Sequence, residues 1–588
     1  MSFTRKSTIA LAAATAIAGT AGAYVYFNGL PGQGGGDGTY GSAKLVPDEA
    51  MAAVAILNNG PALEQLGSFG SSQTQAQADS ALQDFKQQTL EDTGLSLDQD
   101  ILPLLDGVLI ALLPPTSIDA AGAPELLTVL STNNPVKALG LLSKAQEGAE
   151  VEVTTSDYRG VSISELTRPL SGSNVDPQAS PEASPEANPQ ASSEANPESS
   201  PTNKPFFAAV VNQRLVIAAS RRPVELAIEA SQGEGSLADL PQAAQALKTS
   251  GDQSRDDQAL ARLYVPDYGA LISQSTALSP DAAPISPEAL AQLEKVNSIA
   301  AELSVEAEGL HLQATTLLDP SLRPAEATAS PSKAVDRFPA ETVAFFTGQG
   351  ISQSWAKVTE QSASLPESAQ VLELMRNASK QLDVDLDRDV FGWMTGELAF
   401  GLVPVTGGLV GQVGVGAAVV VDSGDRPATE ALFTKLDKLA AGNQLKVDQK
   451  TVGQQAITAW GAPIPGSQES LLGRGWLDND SLFVALGDNL VTQMAAVPQQ
   501  ALPSSPVFQS IMDKLPKDNL GYGFVNVEQA LVLATRSPLA SQLDPQVLEV
   551  LRMVEGIGLA TTWDKADTSK LELFVSLKSE DELEAAAK

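Results

Sequence analysis

The sequence predicts an α+β fold: two tandem homologous domains, each a largely antiparallel sheet with packed helices, after an N-terminal transmembrane helix. Three observations predict it. A long pattern recurs in order along the chain, strand-like runs are joined mostly by short turns, and one apolar run of membrane length stands at the start.

The run Thr8–Phe27 (TIALAAATAIAGTAGAYVYF) follows Arg5 and Lys6, and no further charge appears before Asp37. Twenty helical residues span roughly 30 Å, the thickness of a bilayer core. The basic flank places the N-terminus in the cytoplasm and the body outside. Ala21-Gly22-Ala23 also fits a cleavage site, so secretion after Ala23 is the alternative. Residues 1–28 are therefore read as a signal-anchor segment and 29–43 as a Gly-rich tether.

The body reads as one pattern written twice. Val46–Val54 (VPDEAMAAV) matches Phe338–Phe346 (FPAETVAFF), and LSLDQDILPLLDG at 95–107 matches VDLDRDVFGWMTG at 384–396. Each is followed by an apolar strand, then by strand, polar turn and a helix with Pro in its first turn, Pro135 and Pro427. YVPDYGAL at 264–271 matches FVNVEQAL at 524–531, and both copies close on a strand pair. Alternation marks Leu571, Leu573, Val575 and Leu577 as a strand. Helical spacing marks Leu432, Leu436 and Leu439. Short connections favour antiparallel pairing.

The domains are 44–320 and 338–580, joined by a linker at 321–337 and followed by a disordered tail at 581–588. The tract ASPEASPEANPQASSEANPESSP is too polar and Pro-rich for a core. It interrupts the first copy, where the second has only a short loop at 462–474, so 171–204 is read as a disordered insertion between two strands.

Composition excludes several chemistries. The 588 residues carry 37 basic and 71 acidic side chains, a formal charge of −34, with no Cys and one His. Thiol, disulfide and multi-His metal chemistry is absent, and nucleic-acid phosphates are repelled.

The remaining motifs point to structure. Asp383, Asp385, Asp387 and Asp389 resemble a calcium loop, but the sixth and twelfth positions are Arg388 and Met394, not Gly and Glu. Helix N-capping is the stronger reading, a divalent site the weaker. GQVGVG at 411–416 precedes a strand, whereas a phosphate loop opens a helix. His311 alternates with Leu310 and Leu312 and is expected to face solvent. Chance pairs of carboxylates are certain among 71 acids, so they identify no glycosidase-like site. All five Trp (355, 393, 460, 476, 563) lie in the second copy, as core residues or as a recognition surface.

The N-terminal anchor, the strand opening after Pro47 or Pro339, the Leu-Asp-x-Asp helix starts at 97–100 and 386–389, and the paired domains together resemble a family. It is the cyanobacterial membrane-anchored proteins grouped as domain of unknown function 3352, from about Lys44 to Leu577. The resemblance implies an envelope or thylakoid-lumen setting, in a periplasm or lumen, and supplies no catalytic residues. The expectation is a non-catalytic, membrane-anchored extracytoplasmic scaffold or binding protein, not an enzyme. No catalytic, cofactor-binding or metal residues and no cofactor are assigned. Its partners are the membrane, through the N-terminal helix, and a protein or small ligand, but no nucleic acid. A lipid or small-ligand carrier and a carboxylate-based hydrolase are the alternatives.

Overall fold

The computed structural model describes residues 38–587 except for 168–204 and shorter stretches, the longer being 88–95, 116–123, 145–151, 249–257, 278–284, 462–468 and 537–544. The anchor at 1–28, tether residues 29–37 and the insertion at 171–204 lie outside the described residues. Among those described, no helix is long and apolar enough to cross a membrane. The protein is α+β, and its strands form a large antiparallel sheet. The described residues divide into two compact units, 38–58 with 81–244, and 59–80 with 245–587.

The first unit holds β1 (Ala52–Leu57), β2 (Glu-free run Leu105–Leu113), β3 (Glu125–Thr132), β4 (Glu152–Tyr158), β5 (Val161–Thr167), β6 (Phe206–Val211) and β7 (Arg214–Ala218). Their order is β1-β2-β3-β7-β6-β5-β4. Period-two patterning turns Leu127 and Val129 of β3 inward, where both are fully buried. Helix Arg221–Ser231 covers β6 and β7 through Val224, Ala227 and Ile228. Residues 38–43, read as the end of the tether, form a short helix whose Ser42 hydroxyl lies 2.8 Å from that of Ser131.

The second unit holds β8 (Ala259–Val265), β9 (Val296–Glu306), β10 (Gly309–Leu318), β11 (Ala344–Gln349), β12 (Glu397–Pro404), β13 (Val415–Asp422), β14 (Lys446–Val452), β15 (Gln455–Gly461), β16 (Ser470–Trp476), β17 (Ser481–Leu486), β18 (Gly521–Asn526), β19 (Val554–Lys565) and β20 (Thr568–Leu577). They form one continuous order, β8-β9-β10-β20-β19-β18-β11-β12-β13-β17-β16-β15-β14. Its core gathers Phe338, Phe345, Phe483, Phe524 and Phe574. Helix Arg426–Gly442 starts where the sequence places it. Pro427 lies in the first turn and Asp425 accepts the Ala428 amide at 3.0 Å.

Three segments differ from expectation. Ala334–Arg337, inside the expected linker, is a helical turn whose Ala334 and Val335 join the core. The buried Glu397 carboxylate accepts the Lys333 and Ala334 amides at 2.9 and 3.2 Å and fixes that turn. A helix, Glu580–Ala587, runs from the last residue of the expected second domain through most of the expected tail at 581–588. The Glu582 carboxylate accepts from the Ser579 amide at 2.8 Å and from its hydroxyl at 2.9 Å, and the first-turn acids suit the helix dipole. In β20 the fully buried residues are Phe574 and Ser576, while Leu571, Leu573, Val575 and Leu577 are only half-buried. Apolar alternation identified the strand but not its more deeply buried face.

Candidate functional site

In the second unit, β10 and β20 pair antiparallel from Gly309 opposite Ser576 to Leu317 opposite Thr568. This seam joins hairpin β9–β10 to hairpin β19–β20. Gly309 sits at φ +154°, and a Cβ there would fall 2.0 Å from the Val575 carbonyl oxygen, so the approach at its end admits only Gly.

His311 stands opposite Phe574 in the seam, and the rings meet edge-on at 5.9 Å. It is 5% exposed, which corrects the expectation that it faces solvent. The alternation with Leu310 and Leu312 was real, but the face away from those leucines is also covered. Nδ1 lies 2.8 Å from Glu306 Oε1, one strand away on β9. Nε2 lies 3.2 Å from Glu572 Oε2 on β20, an ion-pair distance without hydrogen-bond alignment. Burial alone would depress the imidazole; the Glu306 and Glu572 carboxylates outweigh it and push the pKa up to about 9. Lys514 reaches Glu306 at 3.1 Å and Glu308 at 2.6 Å. The Glu306 carboxyl is held below its ordinary range, chiefly by its hydrogen bond to His311. A polar row continues beside it. Arg262, 4% exposed, binds Glu302 at 2.7 Å, Glu302 faces Gln313, and Gln313 donates to Glu572 at 3.3 Å. Sequence reading missed this constellation because its members come from four strands; the sole His near Glu306 was its one local sign.

The acidic run at 383–389 is a capped turn. Asp385 accepts the Arg388 amide at 3.0 Å, and Asp389 reaches back to the Asp385 amide at 3.2 Å and to Lys435 at 3.1 Å. Asp387 turns away to Arg376 at 2.8 Å and the Trp355 indole at 2.7 Å. The carboxylates diverge, and no group of three or more potential metal ligands occurs among the described residues. The first unit repeats the device: Asp100 accepts the Ser96 amide at 2.8 Å and pairs with Lys144 at 2.5 Å.

The tryptophans pack and tie. Trp393 is 3% exposed and donates to the Asp389 carbonyl at 2.7 Å. Trp355 stacks on Phe391 at 3.9 Å. Trp460 donates to Asp437 at 2.7 Å and Trp476 to Glu430, both acids on helix Arg426–Gly442. The buried Arg474 guanidinium joins Asp437 at 2.7 Å above the Phe433 ring. GQVGVG runs into β13 as expected. A Cβ on Gly416 would meet the Leu486 carbonyl oxygen at 2.9 Å, so that glycine permits close packing. A recess of about 60 Å³ beside Gly407, Gly408, Glu469 and Asp488 is far smaller than the roughly 300 Å³ at which ligand pockets begin. Among the described residues, every carboxyl displaced from its ordinary pKa range is displaced downward.

An α+β body on a large antiparallel sheet, with its charged clusters closed upon themselves, is the class of protein this architecture defines. The chain belongs to the family described as protein of unknown function (DUF3352), whose model matches residues 9–577. No curated protein matches it. Among solved structures it is similar to crystal forms IV and I of TP0453 at TM-scores of 0.25 and 0.22. The identities are 8% and 10%, covering 48% and 47% of this chain and 85% and 77% of that one. Likeness this slight carries no argument about function.

Proposed function

We propose that this protein is a non-catalytic, membrane-anchored extracytoplasmic scaffold or binding protein, built from two tandem copies of one domain. The observation that carries the reading is the closure of the charged constellations, in which each acid described above is matched by a cation, an amide or an indole N–H. A general acid wants a raised pKa and an open face, and these clusters offer neither. Two features support the duplication. The strand order β1-β2-β3-β7-β6-β5-β4 recurs as β11-β12-β13-β17-β16-β15-β14. The Ser96–Asp100–Lys144 turn recurs as Asp385–Asp389–Lys435. Binding through a surface is supported by helix Pro366–Gln381 and the residue after it, which expose Val371, Leu374, Met375 and Leu382 at helical spacing, Leu374 by 70%.

The chain has no Cys, so Leu374→Cys supplies a unique thiol for a crosslinker in native membranes. The expected result is one discrete protein adduct, from a chain that stays in the pellet through carbonate washes and loses its body to external protease. Stoichiometric lipid in the purified chain would favour the carrier, and a soluble form beginning at Tyr24 would remove the anchor.

A further inference from the structure

We propose that the β10–β20 seam is a pH-gated joint: the His311 imidazolium, clamped between a carboxylate of β9 and a carboxylate of β20, holds the two hairpins together, and its deprotonation releases them. The seam is the one run of backbone pairing between hairpin β9–β10 and hairpin β19–β20 among the described residues. Opposite charges that face each other across a partly buried strand pair stabilise its register, and here the same cation touches both hairpins.

The groups that face His311 are known from every element around it. From β9 come Glu306, Glu302 and Ser304, whose hydroxyl donates to the His311 carbonyl at 3.3 Å. From β10 comes Gln313. From β20 come Glu572, Phe574 and Ser576, the last of these bonded to Glu555 of β19 at 2.8 Å. Glu308 lies in the β9–β10 turn, and Lys514 follows helix Pro506–Met512. Carboxylates outnumber cations in this set. Loss of a proton from the imidazolium leaves a neutral ring whose Nδ1–H still donates to Glu306 within the β9–β10 hairpin, while Glu572 across the seam keeps only the Gln313 amide. Two strands then meet across a seam of net negative charge, with a buried neutral ring between two partly buried acids. The folded-state pKa lies above the ordinary value, so the clamp is complete below about pH 6.5 and is lost as pH rises through about 9.

The test uses the full chain. With one His present, selective ¹³C labelling of the imidazole gives a single NMR signal. Its titration is followed from pH 6 to 10.5 beside hydrogen exchange corrected for the intrinsic base-catalysed rate. The expected midpoint is near 9, and amides of 309–318 and 568–577 lose protection at least about tenfold in step with it, while β12 and β13 keep theirs. A midpoint near 6.5 would overturn the proposal, as would seam protection that holds through the titration. Glu572→Gln is expected to lower the midpoint by about one unit and to move the loosening with it; a midpoint that moves without the loosening also overturns it. Should that variant not fold, the unmodified chain decides alone.

Discussion

Gln313 and Glu572 stand directly opposite each other across the β10–β20 seam, and the Gln313 amide donates to the Glu572 carboxylate at 3.3 Å. Each is the fifth residue of a ten-residue strand. The amide on β10 lets the carboxylate on β20 sit there without meeting its like.

Gln313→Glu is accordingly expected to destabilise the chain by about 0.5–1 kcal/mol, since like charges directly opposite each other on a strand pair are unfavourable. A urea titration at pH 7 measures it, and part of the loss should return near pH 4, where one carboxyl takes up a proton. An unchanged midpoint would show that the pair is solvated and unimportant to the seam.

The seam changes what residues 338–588 do alone. Two domains joined by a plain linker at 321–337 would leave this half to fold on its own, with the urea midpoint of the full chain. Without β10, the edge of β20 offers unpaired amides and carbonyls from Thr568 to Ser576, and such an edge recruits another strand. The isolated half should therefore self-associate with a midpoint that depends on concentration. Sedimentation and Trp fluorescence can follow this, because all five Trp lie in that half. A monomer with the full-chain midpoint would show that the seam contributes little.

Asp389→Ala removes the acceptor for the Asp385 amide and the partner of Lys435. The expected loss is about 1–3 kcal/mol, with a smaller loss for Asp389→Asn. Its carboxyl is held well below the ordinary range, first by Arg388. This contribution is thus present above about pH 4 and disappears as pH falls through the folded value. In Asp389→Ala that part of the acid dependence should be missing from the melting curves.

Deleting Val175–Thr202 and closing the gap with a short Gly/Ser turn should leave stability nearly unchanged, within about 2 °C in Tm. Strands β5 and β6 are neighbours, with Leu166 opposite Phe206, so the two ends already lie one strand spacing apart. Their counterparts β15 and β16 are joined through 462–469. A large fall in Tm would mean that the tract packs on the fold.

Much of the local structure was legible in residue order. The Asp385 cap, the start of helix Arg426–Gly442 at Asp425 and Pro427, and the GQVGVG run into β13 follow from side chains acting on backbone a few residues away. The site was not legible in that way. Ala334 and Val335 looked like linker until Glu397, some sixty residues on, bound the Lys333 and Ala334 amides and fixed the turn that buries them. His311 looked solvent-facing because alternation reports one strand at a time, whereas its burial comes from Phe574 and its charge from Glu306 and Glu572.

The sequence by itself determined the α+β class, the recurrence of one pattern, the absence of thiol and multi-His chemistry, and the capping role of the aspartates. Each of these rests on composition or on interactions within a few residues. Tertiary structure decided that β10 pairs with β20, that Gln313 faces Glu572, and that the one imidazole is held as a cation between acids. Backbone pairing between strands more than 250 residues apart leaves no periodic trace in either strand, and a pKa depends on which charges the fold brings within a few ångströms.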